Sequence, residues 1–284
     1  MICALAFALL LPAQTQSAAH PALTSQIEAL AKAGNWNAIA DLFETLAPAE
    51  RVTCLWQGLQ AMERSRRWAQ VLKVCTEPLP GSVVIPSHFK GRALSELGRH
   101  AEALAWDMDA GKRGDMSAYL AAANEASALS DWKAYQACAE AMSERYPTKA
   151  EYIGMRGEAL ARQARYLEAE ESLNEAIHLD PKRAMSWADL ACCFNEQARY
   201  PEAFQAGEHA VALDPRLLEG LCNRGRACIG LKRYQEGRDD YAAALALGPS
   251  DPALVANLKL NISMADKFLA YQAAKAGKRA GAKP

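Results

Sequence analysis

Residues 198–215 read ARYPEAFQAGEHAVALDP, and residues 164–181, 34 positions earlier, read ARYLEAEESLNEAIHLDP. Nine of the 18 aligned positions are identical. A copy at a fixed step of this length is typical of repeat architectures, in which one unit cannot bury its own apolar face and neighbouring units bury it instead. The step therefore decides how the rest of the chain is divided.

An aromatic or histidine residue marks this step along most of the chain. Stepping by 32 to 34 residues gives one such residue in each of seven units: Trp36, Trp68, His100, Trp132, Tyr166, Tyr200 and Tyr234. Each follows a short polar or glycine-containing turn and opens a segment of about twelve residues, close to average helix length. The unit is therefore predicted to be a helix, a tight turn and a second helix.

The apolar residues inside one unit have helical spacing. The first helix places its apolar face at positions i, i+3, i+4 and i+7, which are Trp187, Leu190, Ala191 and Phe194. The second helix carries small residues on its packed face, which allow close approach of the two helices: Ala203, Gly207 and Ala210. A proline after Asp214 ends the unit, since the residue before a proline is disfavoured in the α region.

These columns resemble the tetratricopeptide repeat (TPR), a 34-residue helix-turn-helix unit. The resemblance implies an all-α fold, an α-α superhelix (a TPR solenoid) of about seven helix-turn-helix units with a C-terminal capping helix. It is strong over residues 148–249, predicted as regular units five to seven, and weaker over 20–147, predicted as degenerate units one to four. Residues 250–272 are predicted as the capping helix and 273–284 as a basic, disordered tail. Three prolines in residues 77–86 predict a shortened helix or a kink there.

The first residues differ in kind from the repeats. Residues 2–11 are uninterrupted apolar sequence, and Ser17-Ala18-Ala19 then supplies the small residues of a cleavage site. Residues 1–19 are therefore predicted as a secretory signal peptide, which makes the protein periplasmic or secreted. No lysine or arginine precedes the apolar run, so an uncleaved extension of a cytoplasmic protein is the alternative. The run is about half the length that spans a bilayer as a helix, so no integral membrane span is predicted.

The TPR resemblance also implies where a partner binds. In this family the exposed stripe of the first helices lines a concave surface that usually receives an extended or helical peptide. A rotation of 100° per residue places that stripe on Glu151, Glu158, Arg162, Met185, Asp189, Cys192, Asn195, Glu219, Cys222, Asn223 and Arg226. Members that hold a C-terminal carboxylate use lysine and asparagine on this stripe. Only Arg226 suits that role here, so no such clamp is predicted.

Signals for catalysis are weak. The sequence contains no nucleophile elbow, phosphate-binding loop, dinucleotide fingerprint or zinc-hydrolase motif, and its eight cysteines include no C-x-x-C pair. No metal site and no cofactor are predicted. Cys192 and Cys222 occupy facing places on neighbouring first helices, so a disulfide or a reactive thiol pair is a further hypothesis. The formal net charge of -1 gives no general attraction to nucleic acid.

We therefore expect a non-catalytic scaffold or adaptor that binds a partner protein or peptide in the concave groove, in the cell envelope. Two alternatives stay open. One is a cytosolic chaperone-like or regulatory TPR protein, and the other, less favoured, is a thiol-based enzyme.

Overall fold

The computed structural model describes residues 21–80 and 85–280. All regular elements within these residues are α-helices, in the order α1 (Pro21–Lys32), α2 (Trp36–Thr45), α3 (Pro48–Thr53), α4 (Leu55–Arg64), α5 (Trp68–Thr76), α6 (Ser87–Glu96), α7 (His100–Lys112), α8 (Met116–Ala128), α9 (Trp132–Arg145), α10 (Ala150–Arg162), α11 (Tyr166–Leu179), α12 (Ala184–Glu196), α13 (Tyr200–Leu213), α14 (Leu218–Gly230), α15 (Tyr234–Ala246) and α16 (Pro252–Ala280). The all-α fold predicted from the repeat is confirmed. The segment predicted as a signal peptide lies outside the described residues.

The predicted helix pairs are also present. Each of the seven marker residues is the first residue of the second helix of its pair, so Trp36 opens α2 and Tyr234 opens α15. The chain divides inside α8 into two compact units, one that ends at Ala121 and one that begins at Ala122. In the second unit α10 packs on α11, α12 on α13 and α14 on α15.

A left-handed residue closes the turn between the two helices of every pair. It stands two positions before the marker residue, with φ between 55° and 73°, at Gly34, Arg66, Gly98, Ser130, Ala164, Ala198 and Lys232. After α12, the Ala198 amide donates to the Asn195 carbonyl at 3.1 Å and the Arg199 amide to the Phe194 carbonyl at 2.9 Å. These two bonds form a Schellman motif, which satisfies carbonyls left open at a helix end. Most of the seven residues are not glycine, so the helix pair imposes this geometry on residues that disfavour it.

Small residues let the two helices of a pair approach closely. Gly157 of α10 lies against α11, where a Cβ atom would be 2.6 Å from Cγ of Leu173. The apolar cluster around this contact is buried and includes Leu160, Leu190 and Ala191. The core of the second unit therefore runs between neighbouring helices of successive pairs.

The first unit has a close approach between successive helix pairs, where α4 packs on α2. A Cβ atom on Gly58 would lie 2.1 Å from Cδ2 of the Phe43 ring, so the ring packs directly on the α4 backbone. Leu59, Met62 and Phe89 complete this cluster, each no more than 1% exposed. Leu59 stands in the column that Gly157 occupies in the second unit, which explains why the TPR pattern is weak in this part of the sequence.

The helices beside the proline-rich stretch are short. The described residues give nine residues to α5 and ten to α6, compared with 13 or 14 in each of the helices from α10 to α15. Residues 81–84, inside that stretch, lie outside the described part of the chain. Shorter helices bury less surface per pair.

The last helix, α16, extends to Ala280, whereas the sequence placed the end of the capping helix at 272 and a disordered tail beyond it. The additional residues are rich in alanine, the strongest helix former, which accounts for the continuation. No helix within residues 21–80 and 85–280 is both long and apolar enough to cross a membrane.

We expect Ala198→Gly to raise the midpoint of thermal unfolding. An L-residue in the left-handed region strains the folded state by about 1–2 kcal/mol, and glycine relieves this strain. Glycine also gives the unfolded chain more conformational freedom, which cancels about 0.5–1 kcal/mol of that stabilisation. The expected net effect is a stabilisation of about 0.5–1 kcal/mol, or roughly 1–3 °C, measured by circular dichroism. The control is Ala270→Gly, an exposed position inside α16, which should lower stability by about 1 kcal/mol. A lower midpoint for Ala198→Gly would contradict the turn geometry.

Candidate protein-interaction site

Two asparagine side chains join the first helices α12 and α14. Asn195 donates from Nδ2 to the carbonyl oxygen of Asn223 at 2.8 Å, and Asn223 donates from Nδ2 to the carbonyl oxygen of Ala188 at 2.9 Å. Asn195 is only 2% exposed. Asn195 was predicted to line the groove. Its side-chain amide is instead buried between two helices, because that side of α12 faces α14.

The other predicted side chains differ in exposure. Glu151, Arg162, Glu219 and Arg226 are exposed, and the half-buried residues are Glu158, Met185, Asp189, Cys192, Cys222 and Asn223. Cys222 packs partly into the apolar cluster around Leu221 and Tyr241. We call the surface formed by Glu158, Asp189, Cys192, Glu219 and Arg226, from α10, α12 and α14, the first-helix face.

An ion pair crosses between two first helices on this face. Arg226 of α14 pairs with Glu196 of α12, and Arg162 of α10 lies 3.8 Å from Glu158 of the same helix. Glu196 is not among the groove residues predicted from the sequence. It stands 34 residues, one repeat step, after Arg162, which was predicted, so that step could have identified it.

A tyrosine from a second helix holds the Glu158 carboxylate. Tyr135 of α9 donates its hydroxyl hydrogen to Oε2 of Glu158 at 2.9 Å. Burial, together with the nearby negative charge of Glu158, raises the pKa of the Tyr135 hydroxyl, so the hydroxyl stays protonated and remains a donor. Sequence reasoning had no signal for this contact, since Tyr135 matches only the packing column of its helix.

Asp189 is a half-buried carboxylate of the first-helix face that lacks a partner. It makes no hydrogen bond or ion pair with any residue in the described ranges. Although the residue keeps partial exposure, protein atoms surround its carboxyl group on most sides. Burial, and then the neighbouring Glu158 charge, raises the pKa of Asp189 to about 8, against the opposing effect of Arg183 and Arg162. Asp189 therefore titrates near neutral pH.

The thiols of this face are poor nucleophiles. Burial raises the pKa of Cys192, with Asp189 adding to the effect, and burial raises the pKa of Cys222 to about 11. The thiolate is the reactive form of cysteine, so a raised pKa leaves little of it at neutral pH. Both are free thiols, and no group of His, Cys, Asp and Glu within the described residues is arranged to hold a metal ion.

Comparisons with known proteins agree with the repeat. The family model described as a tetratricopeptide repeat matches residues 150–183, which hold α10, α11 and the turn after them. The solved TPR protein TTC0263 from Thermus thermophilus is 20% identical, covering 61% of this chain and 95% of its own, with a TM-score of 0.51. The TPR domain of Arabidopsis OM64 is 25% identical over 42% of this chain and 95% of its own, with a TM-score of 0.39. The second TPR domain of human RPAP3, solved with an HSP70 peptide, is 24% identical over 42% and 95%, with a TM-score of 0.37. No curated protein matches the sequence.

The matched family model shows a tetratricopeptide repeat at residues 150–183. The repeated columns and the consecutive helix pairs give the chain a TPR-type all-α fold. The TPR fold is a scaffold for protein–protein interaction and is in general not catalytic.

The raised pKa of Asp189 predicts a pH-dependent stability. The folded carboxyl group keeps its proton up to about pH 8, whereas the unfolded one loses it near pH 4, so the folded state binds more protons between these values. Stability should therefore fall as the pH rises from 4 to 8. We expect Asp189→Asn to be more stable than the wild type at pH 8, by about 1–3 kcal/mol after allowance for partial exposure, and about equal to it at pH 4.

Urea unfolding at both pH values measures this difference. The matched control is Glu171→Gln, which replaces an exposed carboxylate of α11 and should change stability little. An Asp189→Asn variant with the same stability difference at pH 4 and pH 8 would rule out a protonated Asp189 in the folded protein.

Proposed function

We propose that this protein is a non-catalytic scaffold that binds a peptide segment of a partner protein on the first-helix face of α10, α12 and α14. The observation that carries the proposal is Asp189, a desolvated carboxylate without a partner, placed between Glu158 and Glu219. A desolvated carboxyl group without a partner is costly to ionise, and an incoming cation lowers that cost. The partner segment therefore carries a lysine or arginine side chain that pairs with Asp189.

The neighbouring groups support a cationic ligand. Glu158 is already fixed by Tyr135, which keeps its carboxylate in place at the edge of the site. Arg226 is engaged by Glu196, so its positive charge is partly neutralised. Glu219 is thus the unmatched charge on the face, and Asp189 becomes a second one when it ionises. An opposite charge within about 4–6 Å lowers the pKa of a carboxyl group, so binding would ionise Asp189 and release a proton.

Two other functions remain weaker candidates. A cytosolic chaperone-like or regulatory TPR protein would use the same face, and differs from the first proposal in its compartment. A thiol-based enzyme would depend on Cys192 and Cys222, whose raised pKa values disfavour the thiolate at neutral pH.

Crosslinking mass spectrometry in the cells that make the protein tests the site. A partner that uses the first-helix face should crosslink to α10, α12 or α14 in the wild type and lose most of that signal with Asp189→Asn. Glu171→Gln, on the second helix α11, should keep it. With the partner purified, affinity should rise by about 3–10-fold from pH 6.5 to pH 8 in the wild type and stay flat in Asp189→Asn, because the cation binds the ionised carboxyl. If Asp189→Asn kept as many crosslinks as Glu171→Gln, the partner would bind at a different site.

We further propose that the protein acts in the cell envelope, on the strength of the signal-like residues 1–19. Expression of the full chain in a secreting bacterial host should yield a mature protein that lacks roughly the first 19 residues by intact mass and that leaves the cytoplasm. A Leu9→Arg and Leu10→Arg double variant interrupts the apolar run and should keep the full mass. Recovery of full-length wild type from the cytoplasm would favour the cytosolic alternative.

A further inference from the structure

The last helix takes the place of another first helix. Leu254, Leu258 and Ile262 of α16 lie in the same apolar cluster as Leu221 of α14 and Tyr241 of α15. Phe268 stands 34 residues after Tyr234 and stacks on it, with ring centroids 4.8 Å apart and ring planes 9° apart. The 34-residue register therefore continues into α16, although no turn interrupts this helix.

That register places two large apolar side chains on the line of the first-helix face. Leu260 stands 34 residues after Arg226, and Met264 stands 34 residues after Gly230. Leu260 is 59% exposed and Met264 is 43% exposed. Leu260 is rotated about 160° around the helix from the buried Leu258, so it points away from the core. Leu260 continues the column of Glu158, Cys192 and Arg226, and Met264 continues the column of Arg162, Glu196 and Gly230.

We infer that α16 extends the partner-binding site as an apolar platform formed by Leu260 and Met264. The inference rests on the proposed function, since it describes the far end of the same bound segment. That segment carries an aliphatic or aromatic residue on α16 and a lysine or arginine at Asp189. Two steps between neighbouring helices of about 8–10 Å each separate α12 from α16, which an extended peptide spans with about five or six residues.

The charges around the platform decide between occupants. Asp266 of α16 is engaged by Arg238 at 2.6 Å. Lys259, Lys267 and Lys275 are exposed and form no ion pair within the described part of the chain. A second copy of α16 would bring these lysines against each other, so self-association is disfavoured. A partner segment with acidic or neutral residues around its apolar anchor complements them, and the cationic residue then belongs at Asp189 alone.

Selection from a phage-displayed library of random 12-residue peptides tests the inference. The bait is the full chain, as wild type, as Leu260→Ser with Met264→Ser, as Asp189→Asn, and as the control Leu167→Ser. Leu167 is 71% exposed on α11, away from the platform. Wild type and Leu167→Ser should both select peptides with a lysine or arginine about five or six positions from an aliphatic or aromatic residue.

The α16 double variant should keep the preference for a cation, lose the preference for an apolar residue, and bind a wild-type-selected peptide at least 10-fold more weakly. Asp189→Asn should show the reverse preferences. Equal helicity for all four proteins, and no thermal midpoint below that of the wild type, by circular dichroism, exclude unfolding as the cause.

Other outcomes separate the two proposals. An unchanged apolar preference in the α16 variant overturns the platform and leaves the proposed function standing. Selection that is independent of Asp189, or no selection at all, overturns the proposed function and the platform with it.

A dimer in sedimentation velocity that Leu260→Ser with Met264→Ser abolishes would assign the platform to a second copy. Binding to vesicles of three parts phosphatidylcholine and one part phosphatidylserine, lost in the same variant, would assign it to a lipid surface.

Discussion

The tight turn between paired helices is the constraint on which the rest of this structure depends. A single residue in the left-handed region reverses the chain so that the second helix returns along the first. The Schellman hydrogen bonds at this point satisfy the carbonyls at the end of the first helix, and the marker residue opens the second helix two positions later. Ala164 and Ala198 adopt this conformation without being glycine. The burial gained between the two helices offsets that local strain.

The same geometry creates a surface that can bind a partner. Each second helix covers one side of its first helix, and the neighbouring first helix covers another, as the contacts of Asn195 and Asn223 illustrate. One stripe of α10, α12 and α14 is covered by neither neighbour. Its side chains are free to vary without loss of the fold, so the repeat can present charge at Asp189 and apolar surface at Leu260 on the same scaffold.

The charged groups of the first-helix face differ in whether they have a partner. Tyr135 and Arg162 hold Glu158, and Glu196 holds Arg226, so these two charged groups of the face have partners. Asp189 does not, and desolvation brings its titration close to neutral pH. A carboxyl group kept in this state costs stability, and the proposed cationic ligand would relieve that cost.

The sequence by itself determined the fold, the helix pairs and the residue that opens each second helix. This was possible because residues one repeat apart occupy equivalent environments, so a pattern along the chain reports a pattern in space. Phe268 in α16 also stands one repeat step after a marker residue, Tyr234, and stacks on it. Only the tertiary structure decided that Asn195 is buried, that Tyr135 reaches Glu158 and that Asp189 has no partner. These contacts join different helices through individual side chains, and their geometry depends on how each helix is rotated and spaced against its neighbours, which the period alone does not encode.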